Sequence, residues 1–327
     1  MTMDLKTSYL GLELETPVVI GSSVLTLSLN NIKKFADYGA GAVVLKSLFE
    51  EQIMYETHRS LESYDTYQHP EALDYLKYIA KEQSITKYLD IIQQAKKDVS
   101  VPIIASINCM SDNKWTEFAG ELENAGADAL ELNIFITDFQ KLTPAQIEDL
   151  YLKIIKDVRR NTSLPVAIKV SYFFTNLPQM LLKLSYSGIN GLVLFNRYYS
   201  PDVDIEKLEV TSGSYFSSSD EVIVPLRWIG MLADNVSCDI SASTGVHTAR
   251  EAIKLLMVGA TTVQICSTLY KNGIDYLKTL IQDLTNWMDS HGYKNINEIR
   301  GVLKSKSKEE QKLFSRTQYM RHYSKLV

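Results

Sequence analysis

Eight short runs rich in β-branched and apolar residues recur along this chain, and they limit its fold more than any other feature. They are PVVIG (17–21), GAVVLKS (41–47), VPIIASIN (101–108), DALELNIF (128–135), PVAIKVS (165–171), GLVLFNR (191–197), CDISAS (238–243) and TTVQICS (261–267). Most are apolar on both faces, the pattern of parallel strands covered on each side. Their approaches repeat too. The even-numbered runs follow YGA (38–40), AGA (125–127), SGI (187–189) and VGA (258–260), each placing a glycine where a helix ends in a left-handed residue. The first, third and fifth open on TP (16–17), VP (101–102) and LP (164–165). A proline is tolerated at a strand's first position and poor in its middle.

Amphipathic stretches lie between the runs. The spacing predicts helices over 30–38, 113–125, 143–160, 247–258 and 273–291, the third opening with Thr143 as N-cap and Pro144 at N1. Eight strand–helix repeats predict an α/β fold, a (β/α)8 TIM barrel with extended βα loops. The 327 residues suit one decorated barrel, with 1–303 as a single domain and 304–327 as a basic C-terminal extension. Two connections, 48–100 and 198–236, are long enough to pass over a barrel mouth as lids.

Composition narrows the function classes. With 45% hydrophobic and 22% charged residues the chain can bury a sizeable core, and a net charge of -5 offers no general attraction for nucleic acid or acidic membranes. The 3 cysteines, Cys109, Cys238 and Cys266, cannot build a disulfide framework. No apolar run reaches membrane-spanning length and the start lacks a signal-peptide pattern, so a cytoplasmic protein without membrane or nucleic-acid partners is expected. The 5 histidines form no zinc-like cluster, and HExxH, GxSxG and a Walker A loop are absent, so no metal site is expected.

Polar groups gather at the ends of the runs, where barrel enzymes place their sites. Lys46 and Ser47 end the second, Asn108 the third, Lys169 and Ser171 the fifth, Asn196 and Arg197 the sixth, and Asn133 lies in the fourth. Burying such groups without a ligand or partner leaves expensive unpaired polarity, which favours a small-molecule site over purely structural networks. The last two runs lead into Ser243–Thr244–Gly245 and Cys266–Ser267–Thr268, hydroxyl-bearing turns ahead of helices that can receive a phosphate. Ordinary caps and tight turns are the plainer reading of the same residues. A desolvated Lys169 would also suit a Schiff-base aldolase.

In order along the chain, VLKS (44–47), ELN (131–133), PVAIKVS, FNR (195–197), the STG turn (243–245) and GATTVQICSTLYKNG (259–273) resemble the FMN-containing dihydroorotate dehydrogenase superfamily, closest to its soluble class 1 branch. The resemblance runs from residue 16 to residue 301. It implies an oxidoreductase of pyrimidine metabolism with FMN as cofactor. Gly21, Ser22, Lys46, Ser47, Asn133, Lys169 and Asn196 match flavin contacts, and Ser243, Thr244, Gly245, Cys266, Ser267 and Thr268 match the two phosphate loops. Asp65, Asn133, Asn196 and Arg197 fall at substrate positions. The implied cycle is ping-pong: a small, planar, dihydropyrimidine-like substrate gives hydride to FMN, and a second acceptor of unknown identity reoxidises it. A homodimer is the family-based expectation.

The substrate half departs from the family pattern. The usual Cys or Ser base and Pro-Asn ending become Ile136, Thr137 and Asp138 in ELNIFITD, and Asp65 stands where an asparagine is usual. Isoleucine cannot remove a proton, which leaves Asp138 and Thr137 as displaced-base candidates for dihydroorotate oxidation, or a changed substrate on a retained flavin barrel. The latter is preferred. A non-catalytic flavin- or phosphate-ligand-binding barrel and the lysine aldolase are the alternatives.

Overall fold

The computed structural model describes residues 3–49, 85–109, 112–136, 141–197 and 201–305. Eight parallel strand positions close on themselves: β3 (Val18–Ile20), β4 (Ala42–Val44), β6 (Ile103–Asn108), β7 (Ala129–Asn133), β8 (Val166–Val170), β9 (Gly191–Leu194), β12 (Asp239–Ser243) and β13 (Thr262–Ile265). Val263 pairs with Val18, and Val43 pairs with Ile103, so the ring has no free edge. A two-residue β5 (Leu48–Phe49) continues the second position along Ile107 and Asn108. Each of the eight expected runs contains one of these strands.

Side chains alternate across the barrel wall. Val18 and Ile20 face outward into the large shell of helices, whereas Val19 joins Val44, Ile104, Ala129, Ala167 and Val193 inside. Outside stand the helices Leu29–Asp37, 85–98, Asp112–Asn124, Pro144–Asn161, Leu177–Ser185, Ile223–Leu232, Ala249–Met257 and Tyr276–Ser290. Thr143 caps its helix as expected: its hydroxyl accepts from Gln146 N, while Gln146 Oε1 accepts from Thr143 N at 2.8 Å. Helix Ala249–Met257 is capped by Thr248 in the same reciprocal manner, so it starts two residues later than the sequence pattern predicts. The glycines of the repeated approaches, Gly39, Gly126, Gly188 and Gly259, all adopt positive φ, from 90° to 117°. None of the described helices is long and apolar enough to cross a membrane.

Among the described residues, two hairpins lie outside the repeat. β1 (Thr7–Tyr9) and β2 (Leu12–Leu14) form an antiparallel pair whose turn, Leu10–Gly11, has φ of 57° and 77°. Positive φ at both central residues matches the twist of a two-residue hairpin. Tyr9 and Leu10 pack into the interior cluster, closing the barrel's N-terminal mouth. Leu10 leaves no space for a side chain at position 191: a Cβ on Gly191 would lie 2.6 Å from Leu10 Cδ2. The second hairpin, β10 (Pro201–Asp204) with β11 (Glu209–Ser212), projects from the connection after β9. The sequence pattern reads that stretch only as a lid loop; its alternation is weak because Val203, Ile205, Leu208 and Val210 are all exposed.

Candidate functional site

Going up the barrel, the interior changes from aliphatic to charged. On β7, Ala129 is followed at period two by Glu131 and Asn133; on β8, Ala167 by Lys169; on β13, Thr262 by Gln264. Glu131 is 1% exposed and Lys169 8%. Lys169 Nζ donates to Gln264 Oε1 at 3.0 Å, and Gln264 Nε2 donates to Glu131 Oε2 at 2.7 Å. The ammonium stands 3.6 Å from Glu131 Oε1, an atom with no hydrogen-bond partner among the described residues. Either charge buried alone would cost several kcal/mol, so each requires the other. The result is a cation fixed inside the barrel by side chains of the adjoining strand β7 and of β13, which lies elsewhere in the ring.

A polar cleft of about 190 Å³ opens above it. Its lining includes Ser22, Lys169, Asn196, Arg197, Ser243, Thr244, Gly245, Cys266 and Ser267, all singled out from the sequence. Asn133 does not line the cleft but its Oδ1 accepts from Asn196 Nδ2, joining two strand ends. Gly21 sits behind it, its N–H bonded to Ile265 O at 2.9 Å. Ser47 is tied into a hydroxyl ladder: its N–H donates to Ser22 Oγ at 2.9 Å and its hydroxyl meets Ser106 Oγ at 2.7 Å. Lys46 lies over the Phe49 ring, 5.1 Å from its centroid.

Two residues of the expected phosphate loops are held by protein contacts. Gly245, with φ of 80°, is required by a close approach of protein to protein: a Cβ there would meet Val222 N at 2.3 Å. Thr268 is fully buried, and its hydroxyl donates to His247 O at 3.0 Å instead of lining the cleft. Burial pushes the Cys266 thiol up, so it is not a ready thiolate. Arg197 is occupied by protein: its Nε donates to Glu221 Oε2 at 2.7 Å and its Nη1 to Ser214 O at 3.0 Å. Asp65, Thr137 and Asp138 lie outside the described residues. Ile136 is half-buried and packs against the main core.

Several site residues carry no signal in the sequence. Ser217 is held at three atoms: its N–H donates to Ser267 Oγ (3.1 Å), its O accepts from Lys271 Nζ (2.7 Å), and its hydroxyl meets His247 Nε2 (2.9 Å). That latch brings the segment after β11 down onto the cleft. Burial, with Lys271 second, pushes the His247 imidazole below its ordinary value. Gln264 and Glu131 were visible only as polar residues at period two in otherwise apolar runs. Ser217 and His247 are separated by 30 residues and meet only through the fold.

A second cleft of about 600 Å³ adjoins the first, sharing Asn196, Arg197 and Thr244 with it. Together the clefts offer a fixed cation, amides and hydroxyls beside an aromatic wall. Such a set can bind an anionic group and hold a planar ring while negative charge develops on it.

A family model described as dihydroorotate dehydrogenase matches residues 4–288. The chain is 26% identical, over 305 residues, to the dihydroorotate dehydrogenase B (NAD(+)) catalytic subunit of Thermoplasma volcanium, covering 91% of this chain and 98% of that protein. The corresponding protein of Methanocaldococcus jannaschii is 25% identical, with 91% and 97% covered. The chloroplastic dihydropyrimidine dehydrogenase (NADP(+)) of Arabidopsis thaliana is 24% identical, with 91% and 76% covered. A closed parallel barrel, polar strand ends at one mouth and a match over nearly the whole chain lead to one conclusion: this chain belongs to the dihydroorotate dehydrogenase family.

Proposed function

We propose that the protein is an FMN-dependent oxidoreductase on a (β/α)8 barrel of the TIM type, in the soluble class 1 branch, acting on a small planar substrate of the dihydropyrimidine kind. The observation that carries this reading is the Lys169 ammonium, fixed by Glu131 and Gln264 at the wall of a cleft that ends in the loops after β12 and β13. The donor set fits the cofactor's chemistry. Ser243 and Ser267, with the backbone of the two loops, would hold a phosphate, and Lys169 would face the electron-accepting ring. When bound, FMN supplies a two-electron acceptor.

The chain's own residues do the rest. Lys169 keeps a positive charge where reduction would place a negative one, and its ion pair prevents it from swinging away. The Asn133–Asn196 bridge holds the Asn196 amide at the wall of the cleft, where it would orient a substrate carbonyl. Ile136, packed on the core, accepts no proton, so a base would come from the altered loops, with Thr137 and Asp138 as the candidates, unless the substrate needs none. An ammonium committed to an ion pair is a donor, which counts against the lysine-aldolase reading.

The test begins with the absorption spectrum of the purified protein and mass spectrometry of any released ligand; a colourless protein that takes up no FMN overturns the reading. Anaerobic mixing with dihydroorotate then decides the substrate: bleaching assigns it, and an unchanged flavin spectrum excludes it. If bleaching occurs, Asp138→Asn and Thr137→Ala should separate the displaced-base candidates; unchanged rates in both remove them.

A further inference from the structure

The second cleft differs in character from the first. It opens between the ends of β7, β8 and β9 and the helix Ile223–Leu232, and its roughly 600 Å³ is in the range that encloses a drug-sized ligand. One wall is aromatic: Phe135, Tyr172, Phe173 and Phe195. The Tyr172 ring lies 4.6 Å from Phe173, tilted, and 5.8 Å from Phe195, edge-on. Tyr172 is 44% exposed and Phe173 60%, so both present ring surface outside the core. The polar wall is Asn196, Arg197 and Thr244, the same residues that border the Lys169 cleft.

The charge on that wall is already matched. Arg197 Nε is 2.7 Å from Glu221 Oε2, and both residues line the cleft. The other Glu221 oxygen accepts from Ser218 N at 2.8 Å, which anchors the carboxylate. A carboxylated ring entering here would meet Glu221 beside Arg197 and would have to take the arginine from it. An uncharged ring would meet aromatic faces and leave the pair intact.

We propose that this cleft is the recognition chamber for the substrate, that it selects an uncharged planar molecule with an aromatic or apolar flank, and that the Arg197–Glu221 pair turns carboxylated rings away. Calling the ligand a substrate rests on the oxidoreductase reading; the binding preference does not.

A matched pair of probes tests it, 2-naphthamide and 2-naphthoate, which share a ring system and differ in charge. Calorimetric titration of the FMN-loaded protein should show 2-naphthamide binding about tenfold tighter or more, the scale of leaving a charge unpaired. Glu221→Gln, which releases Arg197 from its carboxylate, should tighten 2-naphthoate by about tenfold and move 2-naphthamide by less than about twofold. Phe173→Ser, a change at an exposed ring that leaves the ion pair alone, should weaken both. Equal or tighter 2-naphthoate binding by the unaltered protein overturns the proposal, as does no response to Glu221→Gln. So does a flavin-loaded protein that binds neither probe. If the protein takes up no flavin, the oxidoreductase reading fails, while the same titration of the flavin-free chain still decides the chamber.

Discussion

At the scale of single residues, Gly245 and His247 show how tightly the end of the cleft is built. Gly245→Ala would put a Cβ into the Val222 backbone at a φ of 80°, so it should destabilise by at least about 1–3 kcal/mol, read as a lowered thermal midpoint. His247 gives a pH dependence. Its folded imidazole resists protonation because it is buried and faces Lys271, against weaker opposing attraction from Glu251 and Glu221. The unfolded chain takes up that proton near the ordinary value of 6.5, so folding stability is full above that pH and declines as pH falls through it. His247→Gln should flatten the decline in denaturant melts between about pH 7 and pH 5. A slope that survives the substitution assigns it to other groups. The sequence made Ser243, Gly245 and Lys169 visible because each ends a β-run or opens a turn. It could not show Ser217, which acts through partners 30 to 54 residues away.

At the scale of elements, caps and the hairpin plug can be tested separately from the site. Thr143→Ala removes one half of a reciprocal cap on an outer helix and should cost about 1 kcal/mol, with flavin content unchanged. Leu10→Ala empties the base of the barrel and should cost about 2–5 kcal/mol in chemical unfolding. Helix starts and strand cores were legible because periodicity and caps are local. The β1–β2 hairpin was not. Its strands are only 3 residues each, and Leu10 holds a positive φ without being the expected glycine or asparagine. The tertiary reason for that conformation is the interior cluster that receives Leu10, together with Asp239 Oδ2, which accepts from its N–H at 2.8 Å.

At the scale of the molecule, ring closure puts charges from distant runs into one interior. If FMN occupies the cleft, saturating it at about a hundredfold over Kd should stabilise the fold by about 2.7 kcal/mol, and riboflavin, lacking the phosphate, should stabilise less. Equal stabilisation by the two would remove the phosphate role from the loops after β12 and β13. The number of barrel strands, their parallel character, the mouth that bears polar groups and the family are legible in the chain itself, because they follow from period, turn residues and the order of short motifs. How those polar groups are paired emerges only once the barrel closes. Glu131, Lys169 and Gln264 share one hydrogen-bonded unit, and Arg197 belongs to Glu221 rather than to a free anion site. A buried charge settles on whichever partner lies within a few ångströms once the chain has closed, and separation along the sequence carries no information about that distance.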